Sequence, residues 1–295
     1  MNWIIGITIG VIVGYLLDRE IYFYEGAHLG PRAQAWLYDR WSRKYDAGKR
    51  ESQLRDDEML ARPLLDTLKD TPEPFILDFA TGTGRLSFAL LNQADFTGRI
   101  VALDLSQGML EQASEKLSRA ERRDDDSPSR RRSASVELIR HLALPLPFPD
   151  STFDVVCALE VLELFPSMDE SLKELTRVLR PGGILLTTRG TEESGRRAKV
   201  KSKPVFTSLL EANGLREIQI TPWWKLFDRV LARKNGESSP VVGAKNLSEV
   251  LRCGVCGQVE WERARAEPGR SKASALTCRS CGKSLSVTTT GIVLN

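Results

Sequence analysis

The chain has 295 residues, which is long enough for about two domains. Its 42 basic and 39 acidic residues leave a formal net charge of +3, which is too small for a protein whose main task is to coat nucleic acid. Hydrophobic residues make up 41% of the chain and charged residues 27%, so a disordered chain is excluded. The two histidines are too few for a multi-histidine metal centre.

An uncharged apolar run, WIIGITIGVIVGYLL, occupies residues 3–17. As a helix it would span about 22 Å, less than the ~30 Å hydrocarbon core, and flanking aromatic residues could cover the difference. We therefore predict a membrane anchor, a transmembrane helix, over residues 1–24. Gly6, Gly10 and Gly14 share one face, through which two such helices could associate. A cleaved signal peptide and a buried helix are the alternatives.

Basic residues follow the apolar run. They are Arg19, Arg32, Arg40, Arg43 and Lys44. By the positive-inside rule they predict a single-pass membrane protein whose remaining chain faces the cytoplasm.

Strand and helix patterns alternate through the centre of the chain. A helical pattern runs from 32 to 68, and strands are predicted at 75–80, 99–105, 136–140, 153–159, 182–189, 216–220 and 227–233. This alternation predicts an α/β fold with a doubly wound, Rossmann-like, mostly parallel sheet. Ligands of such sheets bind at the carboxyl ends of the strands.

One central stretch lacks apolar periodicity. Residues 118–135 carry six arginines and four acidic residues. The composition predicts a flexible insert between a helix and a strand. The alternative is a contact for anionic lipid or RNA.

Two acidic residues and a glycine turn form the chemistry-bearing pattern. Asp78 ends the first predicted strand, Gly82 and Gly84 follow it, and Asp104 ends the second strand 22 residues after Gly82. This is the spacing at which a carboxylate accepts hydrogen bonds from ribose hydroxyls. Ser87 replaces the third glycine of dinucleotide-binding turns, which favours a smaller nucleoside ligand.

Four ordered segments resemble class I S-adenosylmethionine-dependent methyltransferases, and most of all the ubiquinone/menaquinone-biosynthesis type, methyltransferase type 11. They read LDFATGTGRLSFAL, LDLSQGML, LPFPDSTFDVVCALEVLEL and LKELTRVLRPGGILLTT. The resemblance implies S-adenosylmethionine as cofactor and a methyltransferase domain over residues 32–234. It says much less about the methyl acceptor.

The resemblance also implies roles for individual residues. The methionyl part of the cofactor would be held by Asp78, Ala80, Thr81, Gly82 and Gly84, the ribose by Asp104, and the adenine by Leu105 and Met109. Leu142 replaces the usual adenine-binding aspartate, so backbone groups near Leu142 and Ala143 would serve instead. Tyr38 and Tyr45 lie seven residues apart on one helical face and could point into the cleft, with ordinary packing as the alternative.

No general base is evident. Many relatives carry L-E-H after the fourth strand, where this chain has Leu162, Glu163 and Leu164. His141 lies near the right strand end and is a candidate, although a structural role is the alternative. Methyl transfer from a sulfonium can proceed by positioning and exclusion of water.

Two C-x-x-C pairs lie near the end of the chain. Cys253 and Cys256 are separated from Cys278 and Cys281 by 21 residues, and four thiolates at this spacing predict a structural Zn²⁺ site. We predict a zinc ribbon over 249–295 after a linker at 235–248. A disulfide framework is the alternative.

The ribbon segments LRCGVCG and LTCRSCG resemble the small zinc-ribbon activator subunits of methyltransferases. The resemblance implies that the ribbon docks on the catalytic domain of the same chain. A generic ribbon that contacts protein or RNA is the alternative.

Together these patterns predict an S-adenosylmethionine-dependent methyltransferase that acts at the membrane on a small-molecule or lipid-like acceptor. The first alternative is an RNA or protein methyltransferase that uses the ribbon as a docking module, although nucleic acid is not favoured as a partner. The second is a non-catalytic membrane scaffold that binds the cofactor.

Overall fold

The computed structural model describes residues 2–123, 134–194, 200–241, 245–263 and 274–295. The α-helices are α1 (Asn2–Asp18), α2 (Pro31–Gln53), α3 (Arg62–Thr67), α4 (Arg85–Leu91), α5 (Gln107–Arg123), α6 (Met168–Val178), α7 (Lys203–Ala212) and α8 (Leu247–Val250). The strands are β1 (Phe75–Phe79), β2 (Arg99–Asp104), β3 (Ser135–Arg140), β4 (Phe153–Ala158), β5 (Leu179–Gly190), β6 (Leu215–Trp224), β7 (Phe227–Lys234), β8 (Trp261–Arg263), β9 (Ser274–Cys278), β10 (Ser284–Val287) and β11 (Val293–Leu294).

All these strands belong to one sheet, in the order β6-β7-β5-β4-β1-β2-β3-β11-β10-β9-β8. The strands from β5 to β3 pair in parallel, and β7 and β6 follow β5 in antiparallel pairing. The chain leaves β1 toward β2 and later crosses to β4, so the order reverses between β1 and β4. The predicted doubly wound, mostly parallel sheet is confirmed.

Alternating side chains of the central strands fill two apolar layers. Phe75, Leu77 and Phe79 of β1 point into one core, while Ile76 points into the other. Helices α3, α4 and α5 cover the second core, and α6 and α7 cover the first. Both faces of the sheet are therefore buried, as parallel sheets require.

The N-terminal helix α1 has exposed apolar side chains along its length. In the part of the chain that the structure describes, no helix combines the length and the apolar character needed to cross a membrane. The prediction of a transmembrane helix over 1–24 is therefore not supported. The reason is that α1 ends at Asp18 after 17 residues and gives way to a π-helical turn, Arg19–Phe23.

Two further boundaries differ from the sequence prediction. The helical pattern over 32–68 is divided into α2, a π-helical turn at Asp57–Ala61 and α3. The predicted insert 118–135 is shorter at both ends, because α5 continues to Arg123 and β3 begins at Ser135. The remainder of that insert, 124–133, lies outside the described residues.

The ribbon is joined to the main sheet. Val293 and Leu294 of β11 pair in parallel with Ile139 and Arg140 of β3, so the ribbon strands extend the sheet. Apolar ribbon side chains such as Trp261 belong to the same core as Phe75 of β1. Docking within one chain is thus a feature of this fold.

A buried carboxylate ties four parts of the fold together. Asp154 of β4 is fully buried, and its Oδ1 accepts hydrogen bonds from Arg180 Nε at 2.6 Å and from the Val241 amide at 2.9 Å. Its Oδ2 accepts from the Phe75 amide at 2.9 Å. The contacts link β1, β4, β5 and the segment that leads to the ribbon.

We expect Asp154→Ala to lower the free energy of unfolding by about 3–5 kcal/mol, because the buried Arg180 guanidinium, the buried Phe75 amide and the partly buried Val241 amide lose this acceptor. Urea unfolding measures the loss. The control is Asp66→Ala, whose carboxylate is 67% exposed and lies 3.8 Å from Lys69 Nζ, where we expect a change below about 1 kcal/mol. Equal losses in both variants would contradict this role.

Candidate nucleoside-binding site

A cavity of about 310 Å³ opens at the carboxyl ends of β1, β2, β3 and β4. This is the edge where the strand order reverses, and doubly wound sheets bind their ligands there. The cavity is bounded by the segments that follow each of these strands and by one face of α2. It is large enough for a small-molecule ligand.

Asp104, at the end of β2, lies in the cavity wall. Its Oδ2 accepts a hydrogen bond from the Gly82 amide and its Oδ1 accepts one from the Ser106 amide, both at 2.8 Å. An ionised carboxylate has about four acceptor sites, so acceptor capacity remains for ligand hydroxyls. Burial raises the pKa of Asp104 to about 6, and the two amides oppose that rise.

The turn after β1 divides the predicted residues into two groups. Ala80 and Gly82 line the cavity, whereas Asp78, Thr81 and Gly84 do not. Both Ala80 and Gly82 have left-handed backbone conformations, with φ of 54° and 56°. A Cβ built on Gly82 would meet no atom within 4 Å, so the glycine leaves open space beside the cavity.

Asp78 stabilises the turn after β1 and does not line the cavity. Its Oδ2 accepts hydrogen bonds from Thr81 Oγ1 and Ser87 Oγ, both at 2.7 Å. Ser87, which replaces the third glycine of the dinucleotide pattern, thereby holds the carboxylate inside the fold. Gly84 allows close helix packing, because a Cβ there would lie 3.2 Å from the Ala113 Cβ.

Tyr38 and Tyr45 of α2 both line the cavity, and their ring centroids are 6.4 Å apart. The Tyr38 hydroxyl donates to Glu25, which lies in the connection between α1 and α2. Burial raises the pKa of each phenol, so both are neutral donors at physiological pH.

Asp39 anchors α2 to the start of α5. Its Oδ1 accepts hydrogen bonds from Ser106 Oγ at 2.6 Å and from the Gly108 amide at 2.8 Å.

The remaining predicted contacts form an apolar slot beside Asp104. Leu105, Met109, Leu142 and Ala143 all line the cavity. They come from the segments after β2 and β3, whose carboxyl ends are adjacent because these strands pair in parallel. Such a slot suits the flat face of a nucleobase.

His141 lines the cavity, but both ring nitrogens are engaged. Nε2 lies 3.1 Å from the Pro145 carbonyl oxygen, which can only accept, so Nε2 carries the hydrogen. Nδ1 then accepts from Asn295 Nδ2, also at 3.1 Å. Burial lowers the pKa of His141, in keeping with a neutral ring. The geometry favours the structural alternative over a general base, and it links the segment after β11 to the cavity wall.

The far wall of the cavity is largely apolar and was not predicted from the sequence. It is formed by Phe79, Leu144, Val161, Leu164, Phe165 and Pro166, and the polar residues Ser167, Glu170 and Ser171 follow in the lining. The Phe165 ring stacks on the Phe79 ring with centroids 5.8 Å apart. Among the residues that the structure describes, no lysine or arginine lines this cavity.

Glu160 supplies a charge on the cavity wall and has a left-handed φ of 55°. Its carboxylate accepts from Arg85 Nη1 at 2.8 Å and pairs with Lys49 of α2. Arg85 also holds Asp56. These ion pairs hold α2 and α4 against the segment after β4. They could not be predicted from local sequence patterns, because their members are distant in the sequence.

The four predicted metal-ligating cysteines come together in the ribbon. Their sulfur atoms all lie within 4.8 Å of one another, and two of the distances are 3.7 Å (Cys253 to Cys281) and 3.6 Å (Cys256 to Cys278). Gly257 and Gly282 follow the two pairs with φ of 76° and 75°, and their amides donate to the carbonyl oxygens of Cys253 and Cys278.

The fold is α/β, and the cavity at its switch point has the composition expected of a nucleoside site. Residues 77–187 match a family described as "Methyltransferase domain". A demethylmenaquinone methyltransferase of Lactobacillus johnsonii is 31% identical over 183 residues, which are 60% of this chain and 71% of that protein. A ubiquinone/menaquinone biosynthesis C-methyltransferase of Escherichia coli is 30% identical over 147 residues, 50% of each chain.

A solved structure has the same fold. It is a putative S-adenosyl-L-methionine-dependent methyltransferase from Methanococcus maripaludis, with a TM-score of 0.50 and 18% identity, and the match covers 69% of this chain and 95% of that one. The present chain belongs to the S-adenosylmethionine-dependent methyltransferases, a family of enzymes. The expected family and enzyme class are confirmed.

We expect cofactor affinity to fall as the pH drops below about 6. Because the pKa of Asp104 is raised to about 6, the carboxylate expected to accept the ribose hydroxyls becomes protonated there, and the dissociation constant should rise about tenfold per pH unit. Isothermal titration calorimetry with S-adenosylmethionine at several pH values measures this.

The Asp104→Asn variant should bind S-adenosylmethionine about ten- to a hundredfold more weakly at pH 7 and lose the pH dependence. An unchanged profile in that variant, with Glu111→Gln as control, would contradict the assignment.

Proposed function

We propose that this enzyme transfers a methyl group from S-adenosylmethionine to a small, lipid-like acceptor. The observation that carries the proposal is the composition of the cavity. One side presents Asp104 and the glycine turn, and the other side presents an apolar wall around Phe165. A lipid-like acceptor suits such a wall better than a polyanion does, since no basic side chain of the described residues lines it.

The residues on the polar side fit the cofactor. Asp104 would accept from the ribose hydroxyls, the open space at Gly82 would admit the methionyl part, and Leu105, Met109 and Leu142 would hold the adenine. When bound, S-adenosylmethionine would supply a methyl group activated by its sulfonium. The protein contributes orientation and exclusion of water, which suffice for an in-line displacement by an electron-rich acceptor atom.

The acceptor class is supported by the names of relatives. The proteins from Lactobacillus johnsonii and Escherichia coli are named for demethylmenaquinone and for ubiquinone/menaquinone biosynthesis. We infer a quinone-like acceptor for this chain, held by Val161, Leu164 and Phe165. Burying a ring and its apolar tail against these side chains would contribute about 25 cal/mol for each Å².

The proposal includes a location at the membrane. The side chains of α1 are exposed and uncharged between residues 3 and 17, and the connection that follows brings Ala27 and Gly30 to the cavity. A helix that is apolar on all sides suits lipid, whereas a protein partner would require only one apolar face. Insertion of α1 into a bilayer would hold the cavity near a lipid-borne acceptor and raise its effective concentration.

The rival function is methylation of RNA or protein, with the basic insert and the ribbon gripping a macromolecule. Much of that insert, 124–133, lies outside the described residues. The rival predicts salt-sensitive activity that falls when residues 118–135 are deleted. The apolar cavity wall favours the lipid-like acceptor instead.

The proposed function is tested with methyl-labelled S-adenosylmethionine, the full chain in detergent, and three acceptors: a prenylated naphthoquinol, total RNA and a protein extract. We expect the label in the quinol.

Phe165→Asp should lower kcat/KM for the quinol at least about tenfold, because it places a charge in the apolar wall. It should leave the affinity for S-adenosylmethionine unchanged. Leu54→Asp, at a side chain that is 78% exposed, is the control. Label found only in RNA or protein, or in no acceptor, would overturn the proposal.

We also infer that the four cysteines bind one structural Zn²⁺. Four sulfurs at 2.3 Å from a tetrahedral zinc lie about 3.8 Å apart, close to the 3.6 and 3.7 Å found here. Four thiolates leave no open position, so the ion would stabilise the ribbon rather than take part in the reaction. It would thereby support β11 and the contact of Asn295 with His141.

Elemental analysis should find one zinc per chain. We expect Cys256→Ser to lose the metal and to weaken S-adenosylmethionine binding, because β11 and Asn295 lose their support beside His141. The matched control is Val255→Ser, in the same turn, whose side chain is 69% exposed. Retention of zinc by Cys256→Ser, or equal metal loss in the control, would contradict the assignment.

A further inference from the structure

We propose that the outward face of α2 docks on an anionic lipid surface. This basic face consists of Arg32, Trp36, Arg40, Arg43 and Lys44, all of them exposed. At about 100° per residue, these five positions fall within an arc of about 120° on the helix. The opposite side of the same helix carries Tyr38 and Tyr45, which line the cavity. The inference rests on the proposed function, because it concerns how the cavity reaches a lipid-borne acceptor.

The cations of the basic face are not held in ion pairs. Within the described residues, none of its four cations forms an ion pair with a carboxylate. The neighbouring Asp39 directs its Oδ1 away, toward Ser106 and Gly108. Four positive charges on one arc create a potential that attracts anionic headgroups.

An exposed tryptophan lies in the middle of these charges. Trp36 is 59% exposed, and the Arg40 guanidinium lies 5.4 Å from its ring centroid. An indole flanked by cations suits the headgroup region of a bilayer, where its apolar body and its N–H group are both accommodated. Exposed apolar side chains continue from the basic face to Leu29 and Tyr22, which are 53% and 72% exposed.

The surroundings favour a membrane over RNA as the occupant. The connection between α1 and α2 is held against α2, since a Cβ built on Gly26 would lie 2.7 Å from Leu37 Cδ1. The basic face therefore follows the apolar helix α1 in the chain after a connection, 19–30, part of which packs on α2. RNA would cover the cations and leave α1 in water, whereas an anionic bilayer suits both.

Docking through the basic face would place one rim of the cavity at the membrane surface. Pro31 and Gln34 line the cavity and lie beside Arg32 in the first turn of α2. With the basic face on the headgroups, this rim of the cavity would lie at the membrane surface. A lipid-like acceptor could then enter from the bilayer without crossing water.

The test compares binding of the full chain to vesicles of phosphatidylcholine and to vesicles that also contain phosphatidylglycerol. The variant replaces Arg32, Arg40, Arg43 and Lys44 by Gln. The matched control replaces four exposed cations elsewhere, Lys69, Lys173, Arg216 and Lys245, by Gln. We expect the natural chain to prefer the anionic vesicles by at least about tenfold at low salt, the variant to lose this preference and the control to keep it.

Three outcomes would overturn the docking proposal: no preference of the natural chain for anionic vesicles, an equal loss in variant and control, or tighter binding of polyuridylate RNA that the variant alone loses. Methyl transfer to the detergent-dispersed quinol separates this proposal from the proposed function. Transfer without an anionic preference refutes docking alone. An anionic preference without transfer refutes the proposed function and leaves docking supported.

Discussion

The contact of Asp104 with two backbone amides is the interaction on which the site depends. It joins the turn after β1, through Gly82, to the start of α5, through Ser106. Ser106 in turn donates its hydroxyl to Asp39 of α2, so the helix that closes the cavity is anchored to the same point. A buried carboxylate with two amide donors remains ionised at neutral pH, and this gives the cleft a fixed hydrogen-bond acceptor, which we predict to bind the ribose hydroxyls.

The second organising feature is the extension of the sheet by the ribbon. Parallel pairing of β11 with β3 places Asn295 beside His141, one residue before the slot formed by Leu142 and Ala143. A small domain with four cysteines thus supports one wall of the cavity rather than standing apart. Burial of Trp261 and other ribbon side chains in the shared core makes the two parts mutually stabilising.

Local sequence patterns predicted the strands and part of the site, but they did not predict contacts between residues distant in sequence. The strands and the Gly82–Asp104 pair were predictable because apolar runs and strand ends can be recognised from a few consecutive residues. The pairing of β11 with β3, the inward bonding of Asp78 and the ion pairs of Glu160 depend on residues distant in sequence. The apolar wall around Phe165 was missed for the same reason, since it forms only when the end of β1 meets the segments after β3 and β4. The expected membrane span was not supported, because α1 ends at Asp18.

The most direct test of the central claim is a crystal structure of the full chain with S-adenosylhomocysteine, the product of methyl transfer. Our account predicts ribose hydroxyls within hydrogen-bond distance of the Asp104 carboxylate, adenine in the slot beside Met109, and the sulfur atom facing the apolar wall at Phe165. A nucleoside bound elsewhere, or an Asp104 that contacts only Gly82 and Ser106 in the complex, would contradict it.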